Sequence, residues 1–139
     1  MKNFNLKSVL TVLFLATALI SCSNDNDEEL PTTPEFTVKT ALVTEVKGPE
    51  KGKVNEELSY EVTYLVDNAC AQFGKISEVT IGTEKGLKVE ANYPSGVCTL
   101  QVPGPQKTVY KFKSATKGTF DIKFKKSDTE FVTAKVIIE

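Results

Sequence analysis

The chain has 139 residues, 40% of them hydrophobic and 25% charged, with 17 lysines against 18 carboxylates and no histidine, arginine or tryptophan. This length and composition suit one globular domain with a modest core. A near-neutral charge without guanidinium groups argues against nucleic-acid binding, and the lack of histidine removes the usual general base, most Ser or Cys triads and the commonest metal ligand.

The chain opens with lysines at positions 2 and 7, followed by an apolar run over residues 9–20. Such a run reaches only about 18 Å as a helix, against a hydrocarbon core of about 30 Å, so it reads as a secretory signal and not as a membrane span. It ends in Leu19-Ile20-Ser21-Cys22, which resembles the lipobox of bacterial lipoproteins. That resemblance implies that residues 1–21 are a signal peptide and that Cys22 becomes the lipid attachment site. Each buried CH₂ adds about 0.8 kcal/mol of membrane affinity, so a diacylglyceryl cysteine bearing a further N-acyl chain is a permanent membrane partner. Without Lys2 and Lys7 the remainder carries 15 lysines against 18 carboxylates, a net charge of −3.

With Cys22 assigned to lipid, Cys70 and Cys98 remain as an even pair, and in an exported protein they are expected to be oxidised. Closing a loop of about 29 residues stabilises a fold by roughly 3.5 kcal/mol in the chain-entropy model.

Residues 22–35 combine Asp25, Asp27, Glu28 and Glu29 with Pro31 and Pro34, a solvated tether without the apolar content of a core. The acidic cluster behind the cysteine resembles the export signal of Bacteroidota-type surface lipoproteins. It implies an outer-membrane location with exposure on the cell surface, the periplasmic face being the alternative.

From residue 36 to 139 the hydrophobic period is two. Leu58, Tyr60, Val62, Tyr64 and Val66 alternate with Ser59, Glu61 and Thr63, the mark of a strand that buries one face. Shorter runs follow at Val79 and Ile81; Leu87, Val89 and Ala91; Cys98, Leu100 and Val102; Tyr110 and Phe112; Phe120, Ile122 and Phe124; and Val132, Ala134, Val136 and Ile138. Gly- and Pro-containing turns divide them. With an opening strand over residues 36–46, about eight short strands are predicted, as in an antiparallel β-sandwich. In the opening strand Phe36 and Val38 share one parity, while Ala41 and Val43 share the other. A bulge, or a strand that switches sheets, reconciles the two halves.

The last three runs, with Gly118-Thr119-Phe120 at the corner before the second of them, resemble the closing strands of immunoglobulin-like domains. The stretch Asp67-Asn68-Ala69-Cys70-Ala71-Gln72-Phe73-Gly74 looks like a cysteine loop of small immunoglobulin-like lipoproteins from the same bacterial group. The expected bridge ties this loop to the run containing Leu100.

Catalytic chemistry has little to stand on. The carboxylates Glu56 with Glu57, and Asp128 with Glu130, fall in polar segments without an apolar surround to raise a pKa. No phosphate loop or calcium-loop spacing is present, and no metal site, cofactor or enzyme activity is expected. The candidate ligand-binding residues are Phe73 and Tyr93, aromatic side chains in or beside loops near the cysteine pair, where a ring can stack on a sugar or fill a protein pocket. Lys107, Lys111, Lys113, Lys117, Lys123, Lys125, Lys126 and Lys135 make the last third basic, and their alternation with apolar residues places most of them on the solvent faces of strands. The expected function is a lipid-anchored, non-catalytic binding or accessory module for a glycan or protein ligand. The alternatives are a purely structural envelope lipoprotein and a proteinase inhibitor with an immunoglobulin-like fold.

Overall fold

The computed structural model describes residues 35–98 and 101–139. The signal segment, Cys22, the acidic tether through Pro34, and Leu100 lie outside the described residues. What is described is all β. The strands are β1 (Phe36–Lys47), β2 (Lys51–Gly52), β3 (Glu57–Leu65), β4 (Gln72–Ile81), β5 (Glu84–Pro94), β6 (Gln106–Lys113), β7 (Gly118–Lys125) and β8 (Phe131–Ile138). They form a mixed sheet curled as a half-barrel, in the order β2-β8-β7-β5-β1-β3-β6, with β4 added to the other edge of β5.

β1 divides its pairing between two partners. Its first half, Phe36 to Ala41, pairs with β5, and its second half, Leu42 to Lys47, pairs with β3 through a register shift between Val43 and Glu45. One strand thus belongs to two ladders; Ala41 and Val43, on either side of the change of partner, are buried, while Phe36 and Val38 stay exposed.

The pairing departs from a wholly antiparallel arrangement in two places. β4 covers one edge of β5, and β1 takes the other edge from Val89 onward. The remaining stretch of that edge is met by β7, which runs in the same direction as β5 and pairs Phe124 with Leu87. The second parallel pair joins Lys51 and Gly52 of β2 to Ile137 and Ile138.

The core follows the alternation of β3. Tyr60, Val62 and Tyr64 are almost completely buried, together with Val43, Val89, Phe124 and Val136. Each aliphatic side chain buried in this way contributes on the order of 1.5–3 kcal/mol. Across the half-barrel, Tyr110 of β6 meets Phe124 of β7 edge-on at 5.4 Å, and Phe112 meets Phe120 at 5.5 Å. The buried tyrosines keep partners for their polar tips: Tyr60 donates to Pro49 O at 2.7 Å and Tyr64 to Gln106 Oε1 at 3.1 Å. Burial raises both phenol pKa values.

Two predicted boundaries move. The run Cys98, Leu100 and Val102 is not a strand where it is described: Cys98 and residues 101–105 are irregular. Pro103 and Pro105 cannot donate to a ladder, which outweighs the apolar alternation. The eighth strand is instead the two-residue β2, which has no periodicity of its own. Val79 and Ile81 close a strand that begins at Gln72. A bulge there, between Phe73 and Lys75, requires Gly74, since a Cβ at that position would lie 2.8 Å from Asn92 Oδ1 and Glu90 O.

Candidate functional site

Two regions carry the features a ligand could use, at opposite ends of β1. The first is the cysteine end. Cys70 and Cys98 form a disulfide with a Cα separation of 6.0 Å. It joins the loop between β3 and β4 to the loop between β5 and β6, so it links loop to loop and not loop to strand. Asn68 shapes the first loop locally: its Oδ1 accepts the Cys70 N–H at 3.0 Å and its carbonyl accepts the Ala71 N–H at 3.3 Å, a side-chain-stabilised turn. Gln106 ties the loop to β6 by donating to Ala71 O at 3.3 Å.

Phe73 and Tyr93 both lie at this end, but in unequal settings. Phe73 is 43% exposed and leans on Tyr64 at 6.5 Å between ring centroids. Tyr93 is only 8% exposed. Its sequence neighbourhood suggests a loop, yet it pairs with Thr37 inside the sheet, in register with buried Ala91 and Val89. Its hydroxyl accepts the Asp67 N–H at 2.9 Å, and Lys39 Nζ stands 5.0 Å from its ring centre. Lys39 in turn binds Asp67 at 2.8 Å, which holds the ammonium pKa above its ordinary value. Tyr93 therefore braces the loop from beneath and offers a ligand little surface.

The second region is a groove of about 580 Å³ at the far end of β1, lined by Val46, Lys47, Gly48, Glu50, Tyr60 and the outer edge of β8 from Thr133 to Ile137. Gly48 lies so close to the Tyr60 ring that a Cβ would overlap it, so the turn seats on the aromatic floor only as glycine. β8 pairs along its whole length with β7. Among the described residues, only its last two are strand-paired on the other side, by β2, with the Ile137 N–H donating to Glu50 O at 2.9 Å. Thr133 and Lys135 share the parity of Ile137, so their backbone groups face the groove. The sequence could not reveal this site, because its walls come from chain segments more than 80 residues apart.

Five lysines of the last third form ion pairs on the surface. Lys107 binds Glu61, Lys111 binds Glu57, Lys123 binds Glu84, Lys125 binds Asp128 and Lys126 binds Glu130. The basic last third is thus largely matched by carboxylates across strands and turns. Of the two carboxylate pairs considered, Glu56 accepts the Lys53 backbone N–H at 2.7 Å and Glu57 binds Lys111, whereas Lys125 keeps the Asp128 carboxyl below its ordinary value. The Asp128 carboxyl, held in its ionised form, is a poor proton donor. Glu90, with its side chain 13% exposed, is lowered by hydrogen bonds from Lys88 and Ser77. Among the described residues no three metal-ligating side chains converge, and no helix is long and apolar enough to cross a membrane.

Comparison with known proteins finds no family model, no curated protein and no solved structure that matches this chain.

Proposed function

We propose that this protein is a lipid-anchored lipoprotein of the outer membrane, exposed on the cell surface, that works as a non-catalytic binding module for a glycan or protein ligand. The sequence supports the anchor through its charged and apolar start and the Leu19-Ile20-Ser21-Cys22 motif. The fold is read as an immunoglobulin-like sandwich with one mixed layer. Support comes from the sheet-switching first strand, the β1-β3-β6 layer, and the aromatic contacts between β6 and β7.

The observation that carries the binding reading is the groove along β8. It has the volume of a ligand site, an aromatic and aliphatic floor, and backbone groups turned toward it. An extended peptide can pair with such an edge as an added strand, and a sugar can use the same donors and acceptors. Phe73 remains the exposed aromatic candidate at the opposite end.

The test is a glycan array and a displayed-peptide library screened with the folded domain, each repeated with Thr133→Trp. Thr133 is exposed on the groove wall, so the substitution fills the groove without entering the core. Hits that lose at least tenfold in affinity with Thr133→Trp support the proposal, while silence in both screens or hits indifferent to the substitution overturn it.

A further inference from the structure

We infer that the cysteine end of the domain docks onto the lipid surface that holds its anchor, with Val97 and Val102 in contact with the membrane interface; this rests on the lipoprotein reading of Cys22. Three observations converge on it. The first is where the domain begins. The Glu35 carbonyl accepts both the backbone N–H of Ser95 at 2.9 Å and the Ser95 hydroxyl at 2.7 Å. The chain preceding Glu35 therefore leaves the domain beside the β5–β6 loop. Residues 22–34 cover at most about 45 Å when fully extended, so this end cannot stray far from the bilayer.

The second observation is charge. A quarter of the chain is charged, yet residues 68–74 and 91–106 contain no Asp, Glu or Lys. The nearest charges flank the tip: Glu35 stands beside Ser95, and those of Lys39 with Asp67 and Lys107 with Glu61 are already paired. The opposite end carries Lys47, Glu50, Lys51, Lys53, Glu56 and Lys117. Loops without charge of their own meet an interface with little to strip of water beyond the Glu35 carboxylate at their margin, whereas the opposite end would have to desolvate many ions.

The third is exposure. Val97 and Val102, at 106% and 93%, are the most exposed of the large hydrophobic side chains among the described residues, and both stand in the loop after Ser95. Two valines alone bind a bilayer weakly. The anchor makes the encounter intramolecular, and the high effective concentration of a short linker lets a weak contact persist. Docking in this orientation points the β8 groove away from the membrane, since it lies at the other end of a strand about 40 Å long.

The chain contains no tryptophan, so Val97→Trp, Val102→Trp and, at the opposite end, Lys117→Trp each create a single fluorescent probe at an exposed position. The full-length lipidated proteins are reconstituted into phosphatidylethanolamine–phosphatidylcholine vesicles with or without brominated acyl chains, and flotation is scored alongside emission. Docking predicts flotation of all three, with a blue shift and bromine quenching for Val97→Trp and Val102→Trp but not for Lys117→Trp. The quenching should persist in high salt, because no ion pair drives it. Flotation with all three probes solvent-exposed, or with Lys117→Trp quenched as strongly as the others, overturns the docking and leaves the anchor standing. Failure to float overturns the anchor and the docking together.

Discussion

The two ends of β1 are held by different means. At the cysteine end, the loops flanking Phe73 and Val97 are joined by one covalent bond and a few side-chain hydrogen bonds, from Asn68, Gln106 and Tyr93. At the other end no covalent link is present among the described residues, and the backbone does the holding. There the Glu139 N–H reaches Gly52 O, the Ile137 N–H reaches Glu50 O, and the Asn55 N–H reaches Ser114 O at 2.8 Å. The difference follows from composition: the loop over residues 95–105, with two prolines and two glycines, has no ladder to join where it is described, so a crosslink replaces what strand pairing supplies elsewhere.

The sharpest way to break this contrast is to remove the crosslink. Replacing both Cys70 and Cys98 with Ser should cost about 3.5 kcal/mol by loop-closure entropy, measured by urea unfolding. Hydrogen exchange should rise first in residues 66–71 and 95–98, while the amides of Ile137 and Glu139 keep their protection until global unfolding. Uniform loss of protection would show that the two ends are one cooperative unit.

A smaller effect compares one hydroxyl at each end. Tyr93→Phe leaves the Asp67 N–H without its partner, and Tyr60→Phe leaves the Pro49 carbonyl without its donor. Each should cost about 1 kcal/mol. Tyr93→Phe should accelerate thiol reduction of the bridge and Tyr60→Phe should not, as followed by mass spectrometry; equal rates would refute a bracing role for Tyr93.

The smallest effect is set by pH and concerns the middle of the sheet. Glu90 on β5 has its pKa lowered by hydrogen bonds from Lys88 and Ser77, with Lys75 adding its charge at 3.5 Å. A depressed folded-state pKa contributes stability that is complete above the ordinary value of 4.5 and drains away as the pH falls toward the lowered one. Acid unfolding of Glu90→Gln should therefore be flatter below pH 4.5 than that of the parent, and coincident curves would remove Glu90 from the acid response.

Much of this architecture is legible in the sequence where one residue pattern serves one neighbour. The alternation from Leu58 to Tyr64 gives β3 its buried face directly, whereas the broken parity between Val38 and Ala41 marks only the point where β1 passes from an exposed start to its buried middle. Cysteine counting leads to the bridge. Legibility ends where distant pairing decides. Tyr93 sits before Pro94-Ser95-Gly96 and looks like a loop residue, but its register with Thr37 buries it. Cys98, Leu100 and Val102 imitate a strand that the prolines deny to the described part of the segment. The β8 groove leaves no local trace because its floor, Tyr60, and its wall, Thr133 to Ile137, meet only after the sheet has curled.

The clasp of Glu35 by Ser95 has a mechanical consequence. Any pull transmitted through the residues before Glu35 enters the domain along the axis of β1, which is bonded to β5 in its first half and to β3 in its second. Such a load meets both ladders in shear, so their hydrogen bonds must yield together and not one at a time as in a zipper. A strand that joins two ladders thus also carries any load applied where the domain begins.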